Sequence, residues 1–311
     1  MPSKSPQSRF SVTLEPKFDY WGQRISWPFN PNSMKQALKH NLSPADSLLG
    51  QAAIKSESVR ARPPFKSVKM EHFQEGDFQL IFKVHLEDKK GREGLLCAVV
   101  AKSGGSTSRV ALNEFKNLRK AFARSPEDVV EPLCGGFIDL PPAAGKKPEH
   151  VFVYFTPWLP DFHELGVNAD MNLFINEKPF HTFKRPITEE VKKLILECCL
   201  RLYDPGRKSA MVPPLVGAGD VVITRPARNK PLQVKLITVR KFIKVESLAE
   251  VLKLYLEYEG EWGDRVFRLA PERVDFIEDA AENALNNRHG IRLDRIRGAL
   301  RTVLDSQQGE W

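Results

Sequence analysis

The apolar run LLCAVVAK at residues 95–102 ends on a lysine and restricts the fold more than any other stretch of the chain. It is too short for a stable helix, and its length and apolar content suit a strand buried in a sheet. An ammonium at the end of such a strand needs a partner to offset its desolvation. Upstream, KSVKMEHF and DFQLIFKVHL alternate as two strands across QEGD, and the charged turn EDKKGREG leads into the run. Downstream, the loop SGGSTS opens a helix on which Val110, Leu112, Phe115, Leu118, Ala121 and Phe122 recur at helical spacing. Glu114 stands beside that stripe and is the acidic group expected to meet Lys102. VVEPLCGGFIDL and HVFVYFTPWL then supply two more strands, separated by the polar loop PPAAGKKPE.

This order of parts resembles the small lobe of the protein-kinase-like superfamily, including its aminoglycoside, choline and lipopolysaccharide phosphotransferase branches. The resemblance covers roughly residues 65–242. It implies an α+β, two-lobed fold: a five-stranded antiparallel small-lobe sheet with one helix, and a reduced, mostly helical large lobe. The expected division is a packed N-terminal extension at 1–64, the small lobe at 65–160 and the large lobe at 161–311. In that family a strand lysine paired to a helix glutamate holds the α- and β-phosphates of ATP. By resemblance, Lys102 and Glu114 are therefore the candidate nucleotide ligands. The QEGD turn stands where the family covers the phosphates; it offers Gly76 alone, and a plain hairpin turn is the competing reading. FTPWLPDFHEL is similar to hinge sequences, which puts the adenine contact on the backbone of Thr156, Pro157, Trp158 and Leu159. Pro157 lacks an N–H and Pro160 restricts Leu159, so this hinge has fewer donors than usual.

The second half departs from the pattern. PITEEVKKLILECCLRLYD reads as a long amphipathic helix capped by Thr188, and LYDPG looks like the sequence that ends the central large-lobe helix of relatives. GDVVIT and VKLITV match the two strands that follow. That alignment puts Leu215 at the catalytic aspartate, Asp220 at the metal-binding asparagine and Thr238 at the second metal-binding aspartate. Leucine accepts no proton, and a threonine hydroxyl is a poor magnesium ligand beside a carboxylate. Asp220 alone keeps a metal-binding group, so magnesium is possible through it, and ATP through Lys102 and Glu114. The resemblance thus points to a pseudokinase.

Composition sets the remaining bounds. The net charge of +8 favours acidic partners. Arg225, Arg228, Lys230, Lys235, Arg240, Lys241 and Lys244 form a basic cluster that reads equally as an anion or nucleic-acid contact and as a solvated loop. Near the start, the strand RFSVT is followed by Tyr20, Trp21, Trp27 and Phe29, aromatics that dock on a neighbouring domain or on a protein partner. Two short helices are expected next, in NSMKQALKHNL and, capped by Ser43, in SPADSLLGQAAI. The four cysteines show no CxxC spacing, no run is apolar enough to span a membrane, and the first residues lack a signal-peptide core. These features favour an intracellular, cytoplasmic protein, with the nucleus also open. Three functions follow: a kinase-like scaffold with weak or no nucleotide binding, an active phosphotransferase on a small-molecule or sugar hydroxyl using Asp220, and an anion-binding protein using the 225–244 cluster.

Overall fold

The computed structural model describes residues 9–14, 17–18, 24–25, 30–140, 149–167, 173–176, 181–214, 219–227, 230–257 and 274–308. The fold is α+β, and the chain divides into two compact units, Met1–Lys116 with Glu131–Leu159, and Asn117–Val130 with Pro160–Trp311. In chain order the first elements are β1 (Arg9–Thr13), β2 (Lys17–Phe18), β3 (Arg24–Ile25), α1 (Pro31–Leu42) and α2 (Leu48–Lys55). They are followed by β4 (Phe65–Glu75), β5 (Gln79–Asp88), β6 (Glu93–Ala101), α3 (Ser106–Arg124), β7 (Cys134–Leu140) and β8 (Glu149–Pro157).

The first unit is built on a six-stranded sheet in the order β1-β4-β5-β6-β8-β7. The five strands from β4 to β8 pair antiparallel, as expected. The expected five-stranded sheet is nevertheless incomplete, because β1 pairs in parallel with β4, from Arg9 opposite Ser67 to Thr13 opposite Glu71. The N-terminal segment supplies that sixth strand: its alternation, with Phe10 buried between exposed neighbours, fits an edge.

Strand β5 sets the two faces, since its residues alternate strictly between half-exposed and buried. One face carries Leu80, Phe82, Val84, Leu96, Ala98, Val100, Val153 and Phe155, all fully buried. Here α1 and α2 pack. Leu48 lies against Gly136, the Cys134 thiol donates to the Leu48 carbonyl (3.1 Å), and Val59 fills the space over Gly94. Asn30 caps α1, accepting from the N–H groups of Asn32 and Ser33, with Pro31 at the first turn. The next helix starts later than expected. Ser43 ends α1, and Ser47 caps α2, because the Ser47 N–H first closes a turn onto the Pro44 carbonyl (3.1 Å).

The opposite face takes α3. Phe115 packs on Phe152 and Tyr154 with ring centroids 5.8 and 5.4 Å apart. A Cβ on Gly135 would sit 2.9 Å from both Phe152 and Tyr154 and 3.2 Å from Phe115, so glycine is what admits this aromatic cluster.

The second unit contains β9 (Phe162–Val167), β10 (Leu173–Ile175), β11 (His181–Thr182), α4 (Arg185–Arg201), β12 (Ser209–Met211), β13 (Val221–Thr224), β14 (Val234–Leu236) and β15 (Phe242–Lys244). Then come α5 (Leu248–Glu257) and α6 (Val274–Ala281), which runs through a π-helical turn at Glu282–Asn286 into α7 (Asn287–His289), and finally α8 (Leu293–Gln308). Helices supply more of the regular structure of this unit than strands do, but beyond the two strands expected at GDVVIT and VKLITV it holds a five-stranded sheet, β11-β10-β9-β13-β14, and the pair β12–β15. Helix α4 begins at Arg185, three residues ahead of the expected Thr188 cap, because Pro186 fits the first turn, where an N–H is dispensable. Asp128 locks the segment after α3 to α4: its carboxylate accepts from Arg201 Nε and Nη2, both at 2.7 Å.

Candidate functional site

Lys102 follows the last residue of β6, and its backbone N–H donates to the Phe78 carbonyl (3.0 Å). The side chain is buried and its ammonium pairs with Glu75 of β4. Burial pulls the ammonium below its ordinary pKa, and the charge of Asp77 opposes that pull. Glu114, also buried, accepts from the Gln79 side-chain amide.

The expected Lys102–Glu114 pair is therefore replaced by Lys102–Glu75 and Gln79–Glu114, and strand parity is the reason. Cys97, Val99 and Ala101 share the face covered by α3: Val99 stands opposite Tyr154, which packs on Phe115, and Ala101 stands opposite Gln79, which reaches Glu114. Lys102 continues the other series, Ala98 and Val100. Glu75 belongs to that series too, since it pairs with Leu80, and Leu80 pairs with Val100. A one-residue offset exchanges faces. Ala101 thus lies on the face covered by α3, and Lys102, the expected nucleotide ligand, continues the other face.

Gly76 closes the β4–β5 turn, its N–H donating to the Gln79 carbonyl (3.0 Å), with open space where a side chain would stand. This is the geometry of a plain hairpin turn. Thr156 and Pro157 lie opposite Cys97 and Leu96 in the ladder, and the Thr156 hydroxyl donates to the Pro157 carbonyl (3.3 Å). Beyond them the half-exposed Trp158 packs edge-on to Phe73, at 4.9 Å, with the Lys83 ammonium 5.0 Å above its ring; Leu159 is half-exposed. Phe73 is itself 57% exposed, so this corner presents an aromatic surface.

In the second unit, Asp220 precedes β13 and is 1% exposed. Arg240 reaches both of its oxygens, Nε to Oδ2 at 2.9 Å and Nη2 to Oδ1 at 3.0 Å. This bidentate, charge-assisted geometry engages both oxygens that a cation would need, and the adjacent guanidinium repels one. Thr238 brings no second carboxylate, and Leu215 lies outside the described residues. The residues present do not fit a magnesium ion. Among the described residues, no three His, Cys, Asp or Glu side chains gather into a metal-binding group.

The thiols do not supply a nucleophile either. Burial pushes Cys97 up to about 12, against a hydrogen bond with Thr156, and Cys134 up to about 11. Cys198 and Cys199 are raised further by burial and by Asp128.

The basic cluster is partly spent on internal contacts. Arg240 serves Asp220, Lys235 donates to the Glu127 carbonyl (3.0 Å), and Arg225 donates to His163 (3.2 Å). Lys230, Lys241 and Lys244 are exposed, while Arg228 and the aromatic residues Tyr20, Trp21, Trp27 and Phe29 lie outside the described residues. No described helix is long and apolar enough to cross a membrane. Sequence reasoning missed Glu75 and Gln79 as partners; their signal was the alternation of β5, which assigns each residue of β6 to a face. Comparison with protein-family models returns no match, nor does comparison with curated proteins.

Proposed function

We propose that this chain is a catalytically degenerate, kinase-like protein that acts by holding protein partners and transfers no phosphate. The observation that carries the reading is the Asp220–Arg240 pair: the one metal-binding group that the resemblance leaves is neutralised from within. The parity of β6 supports it independently, because Lys102 is engaged by Glu75 and α3 faces Ala101. The kinase-like part of the reading is supported by the succession of three strands, α3 and two strands, all five paired antiparallel in one sheet. The first unit also differs from that pattern, with β1, α1 and α2 added to it.

In this reading ATP and magnesium bind weakly or not at all, and the binding surface is aromatic. Phe73 and Trp158 offer one aromatic surface, and the sequence expects a second partner contact from Tyr20, Trp21, Trp27 and Phe29. Buried aromatic anchors carry much of the energy of protein interfaces. An assay of phosphate release from ATP at high protein concentration tests the proposal. It predicts no turnover. Turnover abolished by both Lys102→Ala and Asp220→Ala would replace it with an active phosphotransferase.

A further inference from the structure

Two cations one turn apart near the end of α3 lie over the same aromatic ring. The Lys120 ammonium is 4.2 Å and the Arg124 guanidinium carbon 4.7 Å from the centroid of Phe242 on β15. Arg124 is fixed further by the Leu202 carbonyl (2.8 Å) and by Asp204 Oδ2 (3.0 Å). The same Oδ2 lies 3.9 Å from Arg207 Nε, and Asp204 Oδ1 accepts the Arg207 backbone N–H at 2.9 Å. Arg124 and Arg207 therefore share a single carboxylate, Lys120 shares the Phe242 ring with Arg124, and positive charge is in excess. Burial pulls Lys120 below its ordinary pKa, and repulsion from Arg124 and Arg207 pulls the same way, against Asp204. Like charges held this close are relieved by an anion. The ring restrains the heads of Lys120 and Arg124 through cation–π contact, which lowers the ordering cost of binding. Arg207 is 77% exposed, so a ligand reaches the cluster from solvent.

We propose that Lys120, Arg124 and Arg207 form a binding site for a phosphate group. Arginine forks match phosphate oxygens in pairs, and a lysine adds a point charge. The site uses the second unit alone and does not depend on the scaffold reading. The phosphate belongs either to a free monoester or to a phosphorylated side chain, and the two sources are separable. Calorimetric titration of the full chain at low ionic strength would use inorganic phosphate, a phosphoserine decapeptide and the same peptide without phosphate. Saturable binding of inorganic phosphate is expected, weakened at least tenfold in Lys120→Gln/Arg207→Gln. Should the double variant lose its fold, the exposed Arg207→Gln alone is expected to weaken binding about threefold. A phosphopeptide at least tenfold tighter than inorganic phosphate, with its unphosphorylated form silent, identifies a phosphorylated side chain; equal affinity identifies a free phosphate monoester. Absence of saturable binding for either phosphate probe overturns the proposal. So does binding that is unchanged in the folded variants.

Discussion

Arg201→Leu tests how the second unit is held together. Asp128 is 4% exposed, and four donors serve its carboxylate: Arg201 Nε (2.7 Å) and Ser125 Oγ (2.5 Å) on Oδ2, and Arg201 Nη2 (2.7 Å) and the Cys198 thiol (3.1 Å) on Oδ1. Burial alone would raise the Asp128 pKa, but the hydrogen bonds from Arg201 and Ser125 and the charge of Arg201 hold it below the usual carboxylate range. Removing one partner of a buried pair leaves an uncompensated charge and costs about 3–5 kcal/mol. Because 20% of the Arg201 side chain is exposed, water reaches the site and the lower end, about 3 kcal/mol, applies. For a domain of this size that corresponds to a fall of roughly 6–12 °C in the unfolding midpoint. Circular dichroism on heating, with urea titration beside it, reads the change. The double variant Asp128→Leu/Arg201→Leu should lie closer to wild type than Arg201→Leu does, since the Asp128 charge goes with its partner; Glu197 loses Arg201 in both variants and keeps the Asn283 amide. A single-variant loss under about 1 kcal/mol, or simple addition of the two single effects, would refute this reasoning.

Two further perturbations probe the first unit. In Gly135→Ala the new methyl meets Phe152 and Tyr154 at 2.9 Å, so overpacking should cost about 1–3 kcal/mol in urea unfolding; a neutral result would mean that α3 is not seated on these rings. Asp88 governs a pH dependence. Burial works against its ionised form, but hydrogen bonds from the Arg92 backbone and side chain and from the Lys90 and Arg62 backbones win and lower its pKa to about 2. Its contribution is thus fully present above the unfolded value of about 3.9 and is lost as pH falls through about 2. Asp88→Asn should therefore be less stable than wild type at pH 5, with the gap closing toward pH 2. A gap that widens on acidification would contradict the sign.

How much of this was legible in the sequence depended on how cleanly each segment was patterned. Helix α3 and strand β5 could be read from their periods, because each has one buried face and one wetter face. Strand β6 could not be given a parity. Ala98, Val99, Val100 and Ala101 are all buried, so the run is apolar on both faces and nothing in it says which side Lys102 takes. That is why Lys102 and Glu114 were matched by proximity in the chain order, when the register to β5 separates them. In the second unit, the strands at Val221–Thr224 and Val234–Leu236 were read through the resemblance, and the others were hidden for another reason. Strands as short as Leu173–Ile175, His181–Thr182 and Phe242–Lys244 span too few residues to display a period. Asp220 was placed by the resemblance, and Arg240 was read as part of a basic cluster. Their pairing across β13 and β14 is a tertiary fact that no local pattern carries.

The most direct test of the degenerate-site reading is the thermal unfolding midpoint of the full chain with ATP, with and without magnesium. A ligand that binds only the folded state raises the midpoint as it saturates. With Asp220 held by Arg240 and Lys102 held by Glu75, the midpoint is predicted not to move with the metal–nucleotide complex. A magnesium-dependent rise that disappears in Lys102→Ala would contradict the account and restore a working nucleotide site.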